Sequence, residues 1–357
     1  ADAVFVYYEG QRNFGQALAE DSSGNIWITG GIASGVRPPA IDAALWKYEP
    51  AGMTGVLKLQ YDDATGTNPG GFDTGRSVKT YIDPAANKEK VVLAGYSYNA
   101  FASNNDIVVY KYDIETGELD AGFGGSGVVS YDGGYDDFGY GLAIDRRDDV
   151  KIYVTGEIND GTNFNMALLR YNNDGTLDTG FNGGVVLYNE GAGYRFTGYD
   201  LALDEDGNIY VAGSRSLENS NDVAVWKYDS AGNKIWGPVI YDSGGYDAGY
   251  GIEVDTCGRL LVTGVTGGNL LVLRYGNDGT PDLSFGGGVE AIVYYGISGY
   301  TEGKRIAVYD DYDVFPENYG KIAITGSAYM EGQGMDMAVL RYKDECDVCV
   351  YTPAPTP

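Results

Sequence analysis

The chain has 357 residues, 24 basic against 51 acidic for a formal charge of -27, and no histidine. That balance repels phosphate backbones and anionic lipid heads, which excludes nucleic acid and membrane insertion. Without histidine the commonest general base and transition-metal ligand are gone, and Asp, Glu, Tyr and three Cys remain for chemistry.

In chain order, the first apolar run is Val4, Phe5, Val6, Tyr7 and Tyr8, and after it four kinds of short run recur. The clearest copy, 139–190, holds runs a, b, c and d at 140–145, 151–155, 165–171 and 185–188, each rich in Ile, Val, Leu and Tyr and bounded by turn residues. Run a recurs as GQALAED from Gly15, GRSVKTY from Gly75, GYGLAID from Gly139, GYDLALD from Gly198, GYGIEVD from Gly249 and GKRIAVY from Gly303. Run b ends at Gly30, Gly95, Gly156, Gly213, Gly264 and Gly326. Run c recurs as DAALWKY, DIVVYKY, NMALLRY, DVAVWKY, NLLVLRY and DMAVLRY. Run d is marked by Tyr61, Tyr131, Tyr188, Tyr241 and Tyr294; a sixth is missing after Tyr342 and is found at the front, in Val4 to Tyr8.

A lone four-stranded sheet of this size cannot bury both faces, so copies must pack face to face. The repeat therefore predicts an all-β fold, a six-bladed β-propeller of four-stranded antiparallel blades whose ring is closed by the N-terminal strand. Residues 1–351 form one body, with blades at about 11–62, 63–132, 133–190, 191–242, 243–296 and 297–351, the last completed by a strand from 1–10. Residues 352–357 read as a Pro/Thr-rich tail or linker.

The motifs GYGIEVD and GYGLAID, DEDGNIYVAG and DSSGNIWITG, DVAVWKYDSAGNKIW, NNDGTLDTGFNGG and NDGTPDLSFGGG resemble the bacterial β-propeller repeat SBBP and the related delta-60 repeats. The resemblance covers nearly the whole chain and implies an extracellular propeller. It carries no agreed catalytic residues. Blade 2 departs most, with YIDPAANKEKVV at its a-b turn.

Run a should line the channel, with Leu18, Val78, Leu142, Leu201, Ile252 and Ile306 wedged between neighbouring blades. Where its small residues give way to Arg76, Lys79, Asp200, Glu253, Lys304 and Arg305, charges should gather near the axis. Because both signs occur, the expectation is a plug of ion pairs; a ligand pocket is the rival. The Asp or Asn opening run c precedes a Lys or Arg by five residues in every blade, and that base should meet the acids Asp62, Asp132 and Asp242 of run d.

Asn172, Asp174 and Asp178, and more sparsely Asp278 and Asp282, space oxygen ligands as calcium loops do, although the same letters spell a hairpin turn. Calcium is the single cofactor candidate. Cys257 and Cys346 fall on one rim and could be bridged, with Cys346 to Cys349 as the rival pair. The chain begins without Met, which reads as a mature secreted chain, extracellular or on the cell surface. These observations point to a non-enzymatic structural or interaction module whose partner is a second copy of itself, assembling head to tail through its terminal strands into a filament. The alternative is a carbohydrate-binding or carbohydrate-active propeller, with a glycan as partner.

Overall fold

The computed structural model describes residues 13–33, 41–49, 54–61, 73–99, 101–218, 220–285, 291–294, 300–308, 321–330 and 334–342. The chain divides into two compact units, Ala1–Gly198 and Tyr199–Pro357. In chain order the first sheet is β1 (Asn13–Glu20), β2 (Ile26–Ala33), β3 (Ile41–Glu49) and β4 (Thr54–Tyr61). The second is β5 (Thr74–Asp83), β6 (Lys88–Asn99) and β7 (Asn104–Asp113), with the two-residue β8 (Glu118–Leu119) and β9 (Val128–Tyr131) both on β7. The third is β10 (Asp137–Asp145), β11 (Lys151–Asn159), β12 (Phe164–Asn172) and β13 (Val185–Tyr188).

The fourth sheet is β14 (Tyr194–Leu203), β15 (Ile209–Leu217), β16 (Ser220–Tyr228) and β17 (Lys234–Tyr241); the division between units falls inside β14. The fifth is β18 (Asp247–Val254), β19 (Leu260–Thr266), β20 (Asn269–Tyr275) and β21 (Ala291–Tyr294), and the last is β22 (Thr301–Val308), β23 (Ile322–Met330) and β24 (Gly334–Tyr342). Five blades are therefore complete, not the expected six, and the last sheet has three strands among the described residues. Val4, Phe5, Val6, Tyr7 and Tyr8, expected to close it, lie outside the described residues.

The hairpins follow from local chemistry. At the a-b turns an Asp closes the inner strand and caps the turn with its carboxylate: Asp21 Oδ1 accepts from the amides of Ser23 and Asn25, and Asp255 Oδ1 from those of Cys257 and Arg259. Gly24 and Gly258 then sit at φ of 78 and 74, where a side chain would be strained. The middle strands are apolar on both faces, because both faces of those strands are buried, as in β7, β11, β16 and β19. In the first unit Val92, Val109, Leu142, Val154 and Leu169 form one core cluster, and Trp27, Leu45, Leu93 and Tyr110 belong to another. In the second unit Tyr210, Val225, Val262 and Leu273 pack together, and Leu261, Val272, Ile306 and Ile324 form a further cluster.

Of the expected wedge residues Val78, Leu142, Leu201, Ile252 and Ile306 are buried, but Leu18 is 67% exposed. The bases of the c strands also find partners other than those expected. Arg170 Nη2 lies 2.9 Å from Asp178, Arg274 Nε 2.7 Å from Asp282, and Lys111 Nζ 3.6 Å from Asp120, all acids of the c-d connection rather than of run d. Their reach runs toward the end of the strand, where the chain leaves β7, β12 and β20 and doubles back.

Lys90 on strand b also holds Asp120, at 3.0 Å, and pairs with Asp113 at the end of β7, at 2.7 Å. Burial alone would raise the Asp113 pKa, but hydrogen bonds from Lys90 and from the amides of Thr116 and Glu115 outweigh it and hold the carboxyl at about 2. A carboxyl depressed in the folded state contributes stability that is present above its unfolded value near 4 and lost as pH falls toward 2. Asp113→Asn is accordingly expected to flatten the stability profile between pH 4 and 2, read by denaturant titration at each pH. An unchanged slope in that window would refute the assignment.

Candidate functional site at the bulged strand starts

The invariant Gly of strand b faces the first Gly of strand a: Gly30 pairs with Gly15, Gly95 with Gly75, Gly156 with Gly139, Gly264 with Gly249 and Gly326 with Gly303. The backbones touch there. A Cβ on Gly95, Gly264 or Gly326 would stand 1.8 Å from the carbonyl oxygen of Thr74, Ala248 or Glu302. Immediately after each strand-a Gly the register shifts by one residue, leaving Gln16, Arg76, Tyr140, Tyr250 and Lys304 outside the ladder. A bulge of this kind re-aims the side chain it carries, and bulges gather beside active sites.

In the first unit these residues meet one another. The Arg76 guanidinium lies 5.1 Å from the centre of the Tyr140 ring and 5.7 Å from that of Tyr96, and Tyr96 packs edge-on against Phe138 at 4.9 Å. The Tyr140 hydroxyl donates to Glu157 Oε1 at 3.2 Å. Glu157, fully buried, also accepts from Arg195 Nε at 2.8 Å and from Thr197 Oγ1 at 2.7 Å, so its carboxylate is tied on every side.

The second unit carries the more open arrangement. Tyr199 packs edge-on against Tyr250 at 5.2 Å, and Lys304 Nζ stands 3.9 Å over the Tyr250 ring. Tyr246 reaches the Tyr250 hydroxyl at 3.5 Å and is 50% exposed. Beside them the Glu302 carboxylate accepts from Tyr300 at 2.9 Å, Ser327 at 2.8 Å and Lys304 at 2.8 Å, while Tyr300 itself is 38% exposed. Burial, and then the Tyr246 hydroxyl, push the Tyr250 phenol above its ordinary range; burial and Glu302 do the same to Tyr300. Both phenols stay protonated, each an aromatic body with a polar tip.

Of the six charges expected to neutralise one another, Arg305 and Asp200 meet: Arg305 Nη1 lies 3.5 Å from Asp200 and also donates to the Tyr250 carbonyl at 3.1 Å. Lys304 turns to Glu302, Arg76 to aromatic rings, Lys79 is exposed and Glu253 half-buried. At the loops read as calcium sites, Asp178 is engaged by Arg170 and Lys151 and Asp282 by Arg274, while Asp174 and Asp278 accept from the amides and hydroxyls of Thr176 and Thr280. Lys151 also reaches Asn172. Cys257 sits in the β18–β19 turn; Cys346 and Cys349 lie outside the described residues.

One acidic motif recurs on the rim where strand c opens. In the second unit one carboxylate oxygen each from Asp222, Asp242 and Asp247 lies within 4.8 Å of the other two. The corresponding residues of the first unit are Asp106, Asp132 and Asp137. Burial, with Asp106 and Asp132 adding their charge against the amides of Gly133 and Asn159, pushes Asp137 up to about 7.

Residues 149–181 match the family model described as a domain of unknown function (DUF5122) β-propeller, and residues 186–214 match the β-propeller repeat SBBP. The two matches support a bacterial β-propeller repeat family, and the fold is an all-β propeller of antiparallel sheets. No curated protein matches the sequence significantly. Among solved structures, the chain is similar to a Penicillium chrysogenum α-L-arabinanase complexed with arabinobiose, at 13% identity and a TM-score of 0.54 over 93% of each chain. It is also similar to the Fusarium graminearum α-L-arabinofuranosidase of glycoside hydrolase family 93 in complex with arabinobiose, at 12% identity and 0.54 over 94% of this chain and 95% of that one. A Pseudomonas aeruginosa periplasmic gluconolactonase superposes at 12% identity and 0.52 over 91% and 88%. These neighbours are enzymes, and they overturn the expectation of a non-enzymatic module.

Proposed function

We propose that the chain is a carbohydrate-active β-propeller that receives a glycan at the bulged strand starts of its second unit. The observation that carries this reading is the aromatic platform of Tyr250, flanked by the half-exposed Tyr246 and Tyr300 and backed by the Lys304–Glu302 pair. Sugar rings stack their C–H faces on aromatic side chains, and paired charged groups beside the stack take up hydroxyls in the plane of the ring. Glycosidic chemistry needs two carboxylates, and the two we assign to it are Glu302 and Asp200, the latter within 3.5 Å of the arginine that also holds the Tyr250 backbone. The kinship in fold with arabinanase, arabinofuranosidase and gluconolactonase supports a glycan or sugar lactone as substrate class.

The test is a screen of arabinan, arabino-oligosaccharides and aldonolactones against the wild-type chain, Tyr250→Ala and Glu302→Gln. Wild type is expected to turn over one of these classes. Tyr250→Ala should weaken binding at least tenfold, and Glu302→Gln should retain binding while slowing turnover by roughly 10²–10⁴, the usual share of acid–base catalysis. No binding and no turnover across the screen would overturn the proposal.

A further inference from the structure

We propose that Asp106, Asp132 and Asp137, with the side-chain carbonyl of Asn104, bind a hard divalent cation, calcium, in the first unit. The three carboxylates are kept or replaced together in five of the six copies. Where strand c opens with Asp106 or Asp222, acids follow strand d at Asp132 or Asp242 and precede strand a at Asp137 or Asp247; where it opens with Asn165, the position after strand d is Asn189, and where it opens with Asn269 the position before strand a is Thr301. The set is whole in the Asp106 and Asp222 copies and neutralised in the Asn165 and Asn269 copies, while the copy opening with Asp336 has Tyr8 and Asn13 at the other two positions.

The second unit shows what such a constellation requires. Arg215 pairs with Asp222 directly across β15 and β16, and its Nε donates to Asp222 Oδ2 at 3.0 Å, while Ser220 Oγ serves Oδ1 at 2.8 Å. There the positive charge is part of the chain. In the first unit the residue across from Asp106 is Ser97, which has no charge to give. Asp106 takes one hydrogen bond, from Asn99 Nδ2 to Oδ2 at 2.9 Å, and its Oδ1 is buried without a partner. Asn104 repeats the signal. Its Nδ2 donates to Asp132 Oδ1 at 3.3 Å and to the Tyr135 carbonyl at 2.8 Å, which fixes the amide's orientation, and its Oδ1 is likewise buried without a partner.

Asn104 and Asp106 are each 6% exposed. Two orphaned acceptors among three acids call for something positive, since a buried polar group without a partner is costly and an unpaired buried charge more so. A water satisfies an acceptor but leaves the charge. Calcium takes six to eight oxygens in adaptable geometry, which suits three carboxylates, an amide oxygen and completing waters better than the strict octahedron of magnesium. Asp136 is already engaged by the amide and side chain of Asn105 and is not counted as a ligand. Unlike the Asp222 trio, the first-unit carboxylates do not gather within 4.8 Å of one another, and ion binding is expected to draw the 132–137 turn inward.

The experiment is calorimetric titration of the full chain with calcium chloride, with the thermal midpoint followed in calcium and in chelator. Wild type should bind calcium at this site and melt higher with it. Asp106→Asn should weaken that binding at least tenfold, and Asp242→Asn, in the second unit, should leave it unchanged. Ser97→Arg installs the guanidinium that the second unit already has, so it should abolish the calcium response while keeping a high midpoint in chelator, which separates loss of the ion from loss of the fold. Absence of binding to wild type at millimolar calcium, or the same binding in wild type, Asp106→Asn and Ser97→Arg, would overturn the proposal.

Discussion

Replacing Asp282 by Ala is expected to destabilise the second unit by about 3–5 kcal/mol, the range for removing one partner of a buried ion pair. Arg274 has no exposed surface, and its Nε rests 2.7 Å from Asp282 while Nη2 reaches Ser284 Oγ at 3.1 Å and the guanidinium lies 4.5 Å from the centre of the Phe285 ring. Without the carboxylate the cation stays buried beside an aromatic face, its charge stranded in low dielectric. The loss should fall toward the lower bound, because Ser284 and the ring remain in contact. The double variant Arg274→Met with Asp282→Ala should recover part of it, since apolar residues of similar volume often replace a buried pair at little cost. Equilibrium unfolding in urea checks both. A loss under 1 kcal/mol for Asp282→Ala, or no recovery in the double variant, would show that the charge is not what matters there.

The second large effect is expected at Gly264→Ala. A methyl group there has nowhere to go, since its carbon would stand 1.8 Å from the Ala248 carbonyl oxygen, and that oxygen belongs to backbone rather than to a side chain that could swing away. Strand β18 must lift off β19, which we expect to cost about 3 kcal/mol, the upper part of the range for forced overpacking. Because the bulge begins one residue later at Tyr250, the platform should be displaced too, so glycan binding falls along with stability. Gly245→Ala is the control. Its nearest neighbours stand at 3.4 Å or more, so it should change stability by well under 1 kcal/mol. Equal losses at the two glycines would refute the steric account.

The strand frame was readable because the c strands repeat nearly letter for letter and every b strand carries a Gly at the same place, although each b strand continues two to four residues beyond the Gly at which the sequence ends it. Why it is Gly was not readable: the letter is explained by a backbone contact with a neighbouring strand, which a single line of sequence does not record. Leu18 misled because its place in the a alignment matched buried leucines, yet position alone does not say whether another sheet covers it. The partners of Arg170 and Arg274 were misplaced for a related reason. The acids after strand d and those in the c-d connection are equally frequent, and only the path of the side chain picks Asp178 and Asp282. At the candidate site, Tyr250 and Lys304 carried a signal that could have been used: a constant Gly followed by a residue that changes character from copy to copy. Glu302, Tyr300, Glu157 and Arg195 had none, because they belong to one blade each.

The residue after the strand-a Gly stands outside the ladder, so exchanging it breaks no backbone hydrogen bond, and the chain has already accepted Gln16, Arg76, Tyr140, Tyr250 and Lys304 there. Exchange at these places leaves the ladder register intact, whereas at the strand-b glycines opposite a side chain would meet a backbone oxygen at 1.8–1.9 Å. A repeat built this way can change what it recognises without first becoming more stable, by duplicating a blade and altering a single codon in the copy. The same property makes these five positions a natural combinatorial library: randomised together, they would yield variants of differing specificity from a population in which most members still fold.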